Sequence, residues 1–280
     1  MSKGIIIIGA ASGIGRATAK AFAGKGDRLY LGDRDIKGLK HTQELLASTG
    51  CEVSIDMVDT SDHSQIKAFM QRAFEALEHV STFIYTAGVG RFCPIVDISP
   101  EQWEREISVN LSGAFFCGQA AANGLIQQKS GGCLLFVSSI GAIRNTNQVA
   151  PYCAAKAGLN MLVKCLASEL GNYRIRANAV MPGVTETKMT KPMLNLPKYT
   201  NMLKTTIPLG QWAQAKDVAS LLLFLGSDEA HFINGQSIAV CGGHSVRPDI
   251  DWWPLDYSKE DECDWRGALK QYPFVKDDER

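Results

Sequence analysis

Four isoleucines, Ile5–Ile8, run directly into Gly9-Ala10-Ala11-Ser12-Gly13-Ile14-Gly15, and Arg16-Ala17-Thr18-Ala19-Lys20-Ala21-Phe22 follows with helical composition. A short continuous apolar run reads as a strand buried on both faces. The small residues after it let backbone approach a pyrophosphate, and the start of a helix supplies free N–H groups for an anion. The spacing is G-x-x-x-G-x-G, not G-x-G-x-x-G. Three glycines alone make only a tight turn. Between a strand and a helix they make a nucleotide cradle, with Gly9, Ser12, Gly13, Ile14 and Gly15 as candidate cofactor contacts.

The remaining chain alternates strand and helix patterns, which predicts an α/β fold: a doubly wound parallel sheet in a single Rossmann-like domain. Strands are expected near 4–9, 28–32, 52–58, 81–86, 133–138, 174–180 and 236–241, with long helices near 100–128 and 150–171. At 280 residues and 45% hydrophobic content, one large core is the natural expectation. The catalytic domain is read as residues 1–243, and residues 244–280 as a C-terminal extension. Ligands of such sheets sit beyond the carboxyl ends of the strands, at the topological switch point.

Three further features point to that rim. Asp33 ends the second strand, eighteen residues past Gly15. A carboxylate there accepts hydrogen bonds from adenosine ribose hydroxyls and repels a 2′-phosphate, which favours NAD over NADP. Arg34 follows at once and is able to attract that phosphate instead. Tyr152 and Lys156 stand four residues apart, on one face of a helix, with Ser139 thirteen residues before the tyrosine. A free phenol titrates near ~10, too high for a base at neutral pH, and an ammonium beside it favours the phenolate. Ser139 is positioned to hold a substrate oxygen. Together they read as a proton-transfer site.

These motifs, in this order, resemble the short-chain dehydrogenase/reductase family over about residues 4–243. The glycine motif and the Ser139/Tyr152/Lys156 set fit its pattern, and Asn110 in Val109-Asn110-Leu111-Ser112-Gly113 matches its fourth active-site position. The resemblance implies an NAD-dependent oxidoreductase that moves a hydride between the nicotinamide and a secondary alcohol or ketone. Tyr152 would be the acid/base, Ser139 the oxygen-orienting group, and Lys156 the residue that lowers the phenol pKa and binds the nicotinamide ribose. Asn110 would complete the proton path from a kinked helix. Asp59 and Thr60 match the segment at the adenine, Ala87 and Gly88 the turn after the fourth strand, and Pro182-Gly183 with Thr185 and Thr187 the segment past the nicotinamide. Two departures stand out: Ile8 replaces a common threonine, and Tyr85-Thr86-Ala87-Gly88 replaces Asn-Asn-Ala-Gly, which puts in doubt a hydrogen bond that steadies the central sheet.

The resemblance also places a substrate pocket at Phe92, at Ile140–Val149 with its polar Arg144, and at the loop from Lys188 to about Leu209. A cyclic or hydroxylated secondary alcohol is the expected substrate. A 3-oxoacyl thioester reductase is the alternative, and a non-catalytic nucleotide sensor a third reading that the intact catalytic set disfavours. Twenty-nine basic residues balance twenty-nine acidic ones, so neither nucleic acid nor anionic membrane is expected as a partner. No leader or membrane span is expected, and the eight dispersed cysteines fit a reducing cytoplasm. Scattered histidines and cysteines predict no metal site. Small and apolar residues around the helix starting at Tyr152 predict a homo-oligomer, a tetramer by resemblance. Trp252, Trp253 and Tyr257 give the extension an aromatic content unlike a disordered tail. They are expected either to pack for stability alone or to close the substrate pocket.

Overall fold

A computed structural model describes residues 3–247. The chain alternates β1 (Gly4–Ile8), α1 (Gly13–Ala23), β2 (Arg28–Asp33), α2 (Ile36–Leu46), β3 (Val53–Met57), α3 (His63–Leu77) and β4 (Val80–Tyr85). It continues through α4 (Pro100–Ile107), α5 (Ala114–Gln128), β5 (Gly132–Val137), α6 (Ala150–Leu170) and β6 (Ile175–Pro182). Two short strands, β7 (Thr185–Glu186) and β8 (Ala213–Gln214), frame α7 (Lys191–Leu194) and α8 (Pro197–Thr206). The described elements end with α9 (Ala215–Leu225) and β9 (Ser237–Val240). Seven strands form one parallel sheet in the order β3-β2-β1-β4-β5-β6-β9. Chain direction reverses across the sheet between β1 and β4, so the crevice beyond their ends is the switch point.

The isoleucine run is buried on both sides because successive side chains point to opposite faces. Ile6 and Ile8 pack with Phe83, Tyr85 and Phe136 under α3, α5 and α6, whereas Ile5 and Ile7 pack with Leu31, Leu135 and Val180 under α1, α2 and α9. Both clusters are needed to cover one sheet, which is why its central strand β1 is an unbroken apolar run. Met1–Ser245 forms one compact unit. The expected roles of Trp252, Trp253 and Tyr257 lie outside the described residues.

The expected long helix over 100–128 is not regular. Between α4 and α5, residues Ser108–Gly113 form a π-helical segment, the kink the resemblance implied at Asn110. Tyr85 anchors it. Its buried hydroxyl donates to the Val109 carbonyl at 2.7 Å and shares a hydrogen bond with the Thr60 hydroxyl at 3.1 Å. Gly113 leaves room for this, since a Cβ there would lie 2.9 Å from the Tyr85 oxygen. The next residue, Thr86, donates its hydroxyl to the Ile8 carbonyl at 2.8 Å, alongside its own N–H. Two hydroxyls thus supply sheet-end hydrogen bonds where the family has amides. Tyr85→Phe should remove the Val109 bond and leave buried acceptors unpaired, at a cost of about 1–3 kcal/mol in denaturant unfolding. A loss under a few tenths would mean that the hydroxyl contributes nothing to the kink.

Candidate active site

A cleft of about 500 Å³ opens at the switch point. The first turn of α1 forms one side. A Cβ at Gly9 would fall 2.5 Å from the Thr86 hydroxyl, and one at Gly15 would collide with the Gly9 carbonyl, so only glycine lets these strands and α1 meet. Gly9 and Gly13 also take positive φ, at 91° and 51°. Ser12 caps α1 without a side-chain bond, and no acid occupies its first turn, so the N–H groups and positive dipole end face the cleft. Arg16 staples this turn to α2: its guanidinium donates to the Ala11 and Gly38 carbonyls and, at 2.9 Å, to the Thr42 hydroxyl.

Gly9, Ser12, Gly13, Ile14, Gly15, Asp33, Arg34, Asp59, Thr60, Ala87 and Gly88 line the cleft, as do Ser139, Tyr152, Lys156, Pro182, Gly183, Thr185 and Thr187. The Asp33 carboxylate is fixed at the end of β2 by the Ala11 N–H at 3.1 Å and the Asp35 N–H at 3.0 Å. Asp59 is held below the usual carboxylate range by the Ser61 hydroxyl and N–H, with Arg34 adding its charge. Thr185 donates to the Gly183 carbonyl at 3.0 Å, and the Thr187 N–H donates to the Thr190 hydroxyl at 3.0 Å. Thr86 and Ser138 also line the cleft without having been read from the sequence, as does Thr190. Thr86 follows a recognised strand end, and Thr190 lies, with Lys188 and Met189, in the loop from Lys188 that was expected at the substrate.

The catalytic candidates converge from separate elements. Ser139 follows β5 and accepts the Gly141 N–H at 3.0 Å, which fixes its Oγ at the strand end. Tyr152 and Lys156 lie on the first turns of α6, and the Lys156 Nζ stands 5.7 Å from the Tyr152 ring centroid. Lys156 is almost wholly buried and donates to the Val137 carbonyl at 2.8 Å. Asn110 sits behind the cleft wall. Its amide donates to the Val89 carbonyl at 2.6 Å and the Glu106 carbonyl at 2.9 Å, and accepts the Val89 N–H at 3.2 Å. A Cβ at Gly88 would lie 3.1 Å from the Asn110 oxygen and 3.7 Å from Lys156 Nζ, so these two polar groups flank one point.

Burial sets the ionisation of this pair. Lys156 was expected to lower the Tyr152 pKa, but burial dominates among the protein groups. It pushes the phenol above its ordinary 10, a hydrogen bond with Ser139 pulls it back, and the charges of Cys153 and Glu106 oppose ionisation. Burial also drops Lys156 from 10.5 to about 7, so near neutrality it is not a full positive charge. Of the expected substrate contacts, Ser139 and Tyr152 line the cleft. Arg144 and Phe92 are not among the residues that line the cleft. The Arg144 guanidinium donates to the His244 carbonyl at 2.6 Å, and Phe92 is half exposed beyond the Gly90 turn.

A family model described as enoyl-(acyl carrier protein) reductase matches residues 9–245. The 3-oxoacyl-[acyl-carrier-protein] reductase FabG of Thermotoga maritima is 33% identical over 238 residues, 85% of this chain and 96% of its own. L-rhamnose 1-dehydrogenase (NAD(P)(+)) of Azotobacter vinelandii is 34% identical over 248 residues, covering 87% and 96%. Among solved structures, levodione reductase superposes with a TM-score of 0.85 at 29% identity, over 88% of this chain and 98% of that one. The chain belongs to the short-chain dehydrogenase/reductase family and is an oxidoreductase of the class that uses a nicotinamide cofactor. The site fits such a cofactor: the glycine cradle leaves backbone N–H groups open to phosphate, and a strand-end carboxylate stands where a ribose would lie.

The buried lysine has a measurable signature. Between about pH 7 and 10.5 the unfolded chain holds a proton on Lys156 that the folded chain does not, so stability rises with pH through that window. Lys156→Met removes the dependence. The melting temperature of the variant minus that of the parent should be most positive at about pH 6 and shrink toward pH 10. A difference that stays constant with pH would show that burial does not depress this lysine.

Proposed function

We propose that the chain is an NAD-dependent dehydrogenase that interconverts a cyclic or hydroxylated secondary alcohol and its ketone. The observation that carries this reading is the convergence of the Ser139 hydroxyl, the Tyr152 phenol and the Lys156 amine on one wall of the cleft that holds the glycine cradle. A bound nicotinamide supplies the hydride acceptor or donor. Tyr152 Oη takes the hydroxyl proton during oxidation and returns it during reduction. Ser139 Oγ orients the substrate oxygen and stabilises its developing charge. Lys156 Nζ, buried against the Val137 carbonyl, binds the cofactor ribose and exchanges the proton onward. Asn110 holds Val89 and the π segment, which keeps the loop after β4 against the site.

NAD is favoured over NADP by two features of the adenosine side. The Asp33 carboxylate lines the cleft at the strand end, and Arg16 is committed to backbone carbonyls and the Thr42 hydroxyl. Arg34 lines the cleft, and it lies near Asp59. The second reading, reduction of a 3-oxoacyl thioester, is supported by the likeness to the Thermotoga maritima reductase. We further propose a homotetramer in the cytoplasm. Trp103, Phe115 and Met161 lie exposed on the successive helices α4, α5 and α6, an apolar surface that suits subunit contact. Among the described residues no helix is long and apolar enough to cross a membrane, and no histidine, cysteine or carboxylate cluster has a metal-binding arrangement.

An absorbance screen with NAD and NADP over alcohols, polyols, hydroxysteroids and hydroxyacyl thioesters tests the assignment. Turnover of the thioesters alone would favour the second reading. With any substrate found, Tyr152→Phe should leave NAD binding nearly intact and abolish turnover, because it deletes the acid/base group and little else. Substantial residual activity would rule out the proton-transfer role. Asp33→Ala should weaken NAD and relieve repulsion of NADP, narrowing the preference by about one to two decades. A parent enzyme that already prefers NADP in steady-state assays would overturn the reading of Asp33.

A further inference from the structure

Three threonines stand on the segment between β6 and α7, and Thr185, Thr187 and Thr190 all line the cofactor cleft. Thr185 turns its hydroxyl to the Gly183 carbonyl at 3.0 Å. Thr187 stands opposite the first turn of α1, where a Cβ on Gly13 would lie 3.3 Å from its methyl carbon. The methyl, not the hydroxyl, therefore meets the phosphate cradle. Thr190 directly precedes α7, but its side chain makes no capping bond to that helix. Its hydroxyl turns back on the two threonines before it.

A hydroxyl has one proton to give and two lone pairs to receive with. Thr190 Oγ1 gives its proton to the Thr185 carbonyl at 2.5 Å, well inside the 3.4 Å that separates it from the Thr187 carbonyl. It accepts the Thr187 N–H at 3.0 Å. One lone pair remains, and Thr187 Oγ1 lies 3.2 Å away. With the Thr190 proton already committed, that contact is a hydrogen bond only when Thr187 is the donor. Thr190 thus takes up both donors of Thr187, its N–H and its O–H. What Thr187 has left to show the cleft is the lone pairs of Oγ1.

An oxygen that offers lone pairs and no proton attracts an N–H group and repels a second acceptor. At the reacting end of a nicotinamide cofactor, the carboxamide carries such a donor. We propose that Thr190 is a positioning residue: by holding both protons of Thr187 it sets that hydroxyl as an acceptor, and the site selects the amide form of the nicotinamide ring over forms whose ring substituent cannot donate. The proposal rests on the nicotinamide cofactor and goes beyond the alcohol dehydrogenase reading without needing it.

Calorimetric titration of the full-length protein tests it, with NAD and with nicotinic acid adenine dinucleotide, in which a carboxylate replaces the amide. The 2′-phosphorylated pair is used for a parent that prefers NADP. The parent should bind the amide form about tenfold or more tightly, because the acid both loses a hydrogen bond and brings two acceptors together. Thr190→Val keeps the shape and removes the lone pairs, which releases the Thr187 proton to the cleft, so the preference should shrink to about threefold or less. Thr190→Ser retains the hydroxyl and should keep the parent's preference. Where a thermal melt shows that the valine variant does not fold, Thr187→Val deletes the acceptor itself and should bring the same collapse. A parent without a preference, or variants that weaken both ligands equally, would overturn the proposal and leave Thr190 a structural residue. A parent that binds no dinucleotide would overturn it together with the cofactor assignment. No step of the test needs an alcohol, so its failure is distinct from failure of the dehydrogenase reading.

Discussion

The close approach of backbone at the ends of β1 and β4 is the constraint on which the site depends. Gly9 packs against the Thr86 hydroxyl, and Gly15 packs against the Gly9 carbonyl, at separations that exclude any side chain. Because α1 can start this near the sheet, its free N–H groups converge on the switch point rather than on solvent. The same contact aligns Asp33 at the end of β2, since the N–H of Ala11 in that turn is the donor to its carboxylate. Cradle and ribose-side acid are therefore one unit held by glycine geometry.

Burial sets the electrostatics of the neighbouring wall. Lys156 donates to a carbonyl in an almost closed environment, and the loss of hydration brings its pKa to about 7. Tyr152 is shifted the other way for the same reason, and the Ser139 hydrogen bond is the principal opposing influence. Desolvation of both groups favours their neutral forms.

The π-helical segment links these parts through hydrogen bonds rather than apolar packing. Asn110 uses its whole amide on Val89 and Glu106, and Tyr85 engages the Val109 carbonyl from beneath. The segment thereby joins the loop after β4, the Thr60 hydroxyl at the adenosine side, and the wall beside Lys156. Displacement of any one of them is felt by the others, because Tyr85 and Asn110 each bridge two of these partners.

The sequence by itself determined what local chemistry dictates. The isoleucine run and its glycines specify a buried strand, a turn and a helix start, and the strand pattern specified a parallel sheet to within a residue or two at most ends. The spacing of Ser139, Tyr152 and Lys156 was enough to expect them on one cleft, whereas Asn110 was read only through the family resemblance. Tertiary structure decided what depends on distant neighbours. It directed the Arg144 guanidinium to a backbone carbonyl, and no periodicity encodes that outcome. It reversed the expected sign at Tyr152, because a pKa reflects desolvation by groups scattered along the chain. It also turned Glu106, in sequence one more acid on a polar helix, into a buried carboxylate with a free oxygen, since only the packing of α4 against the loop at Arg91 removes that group from water.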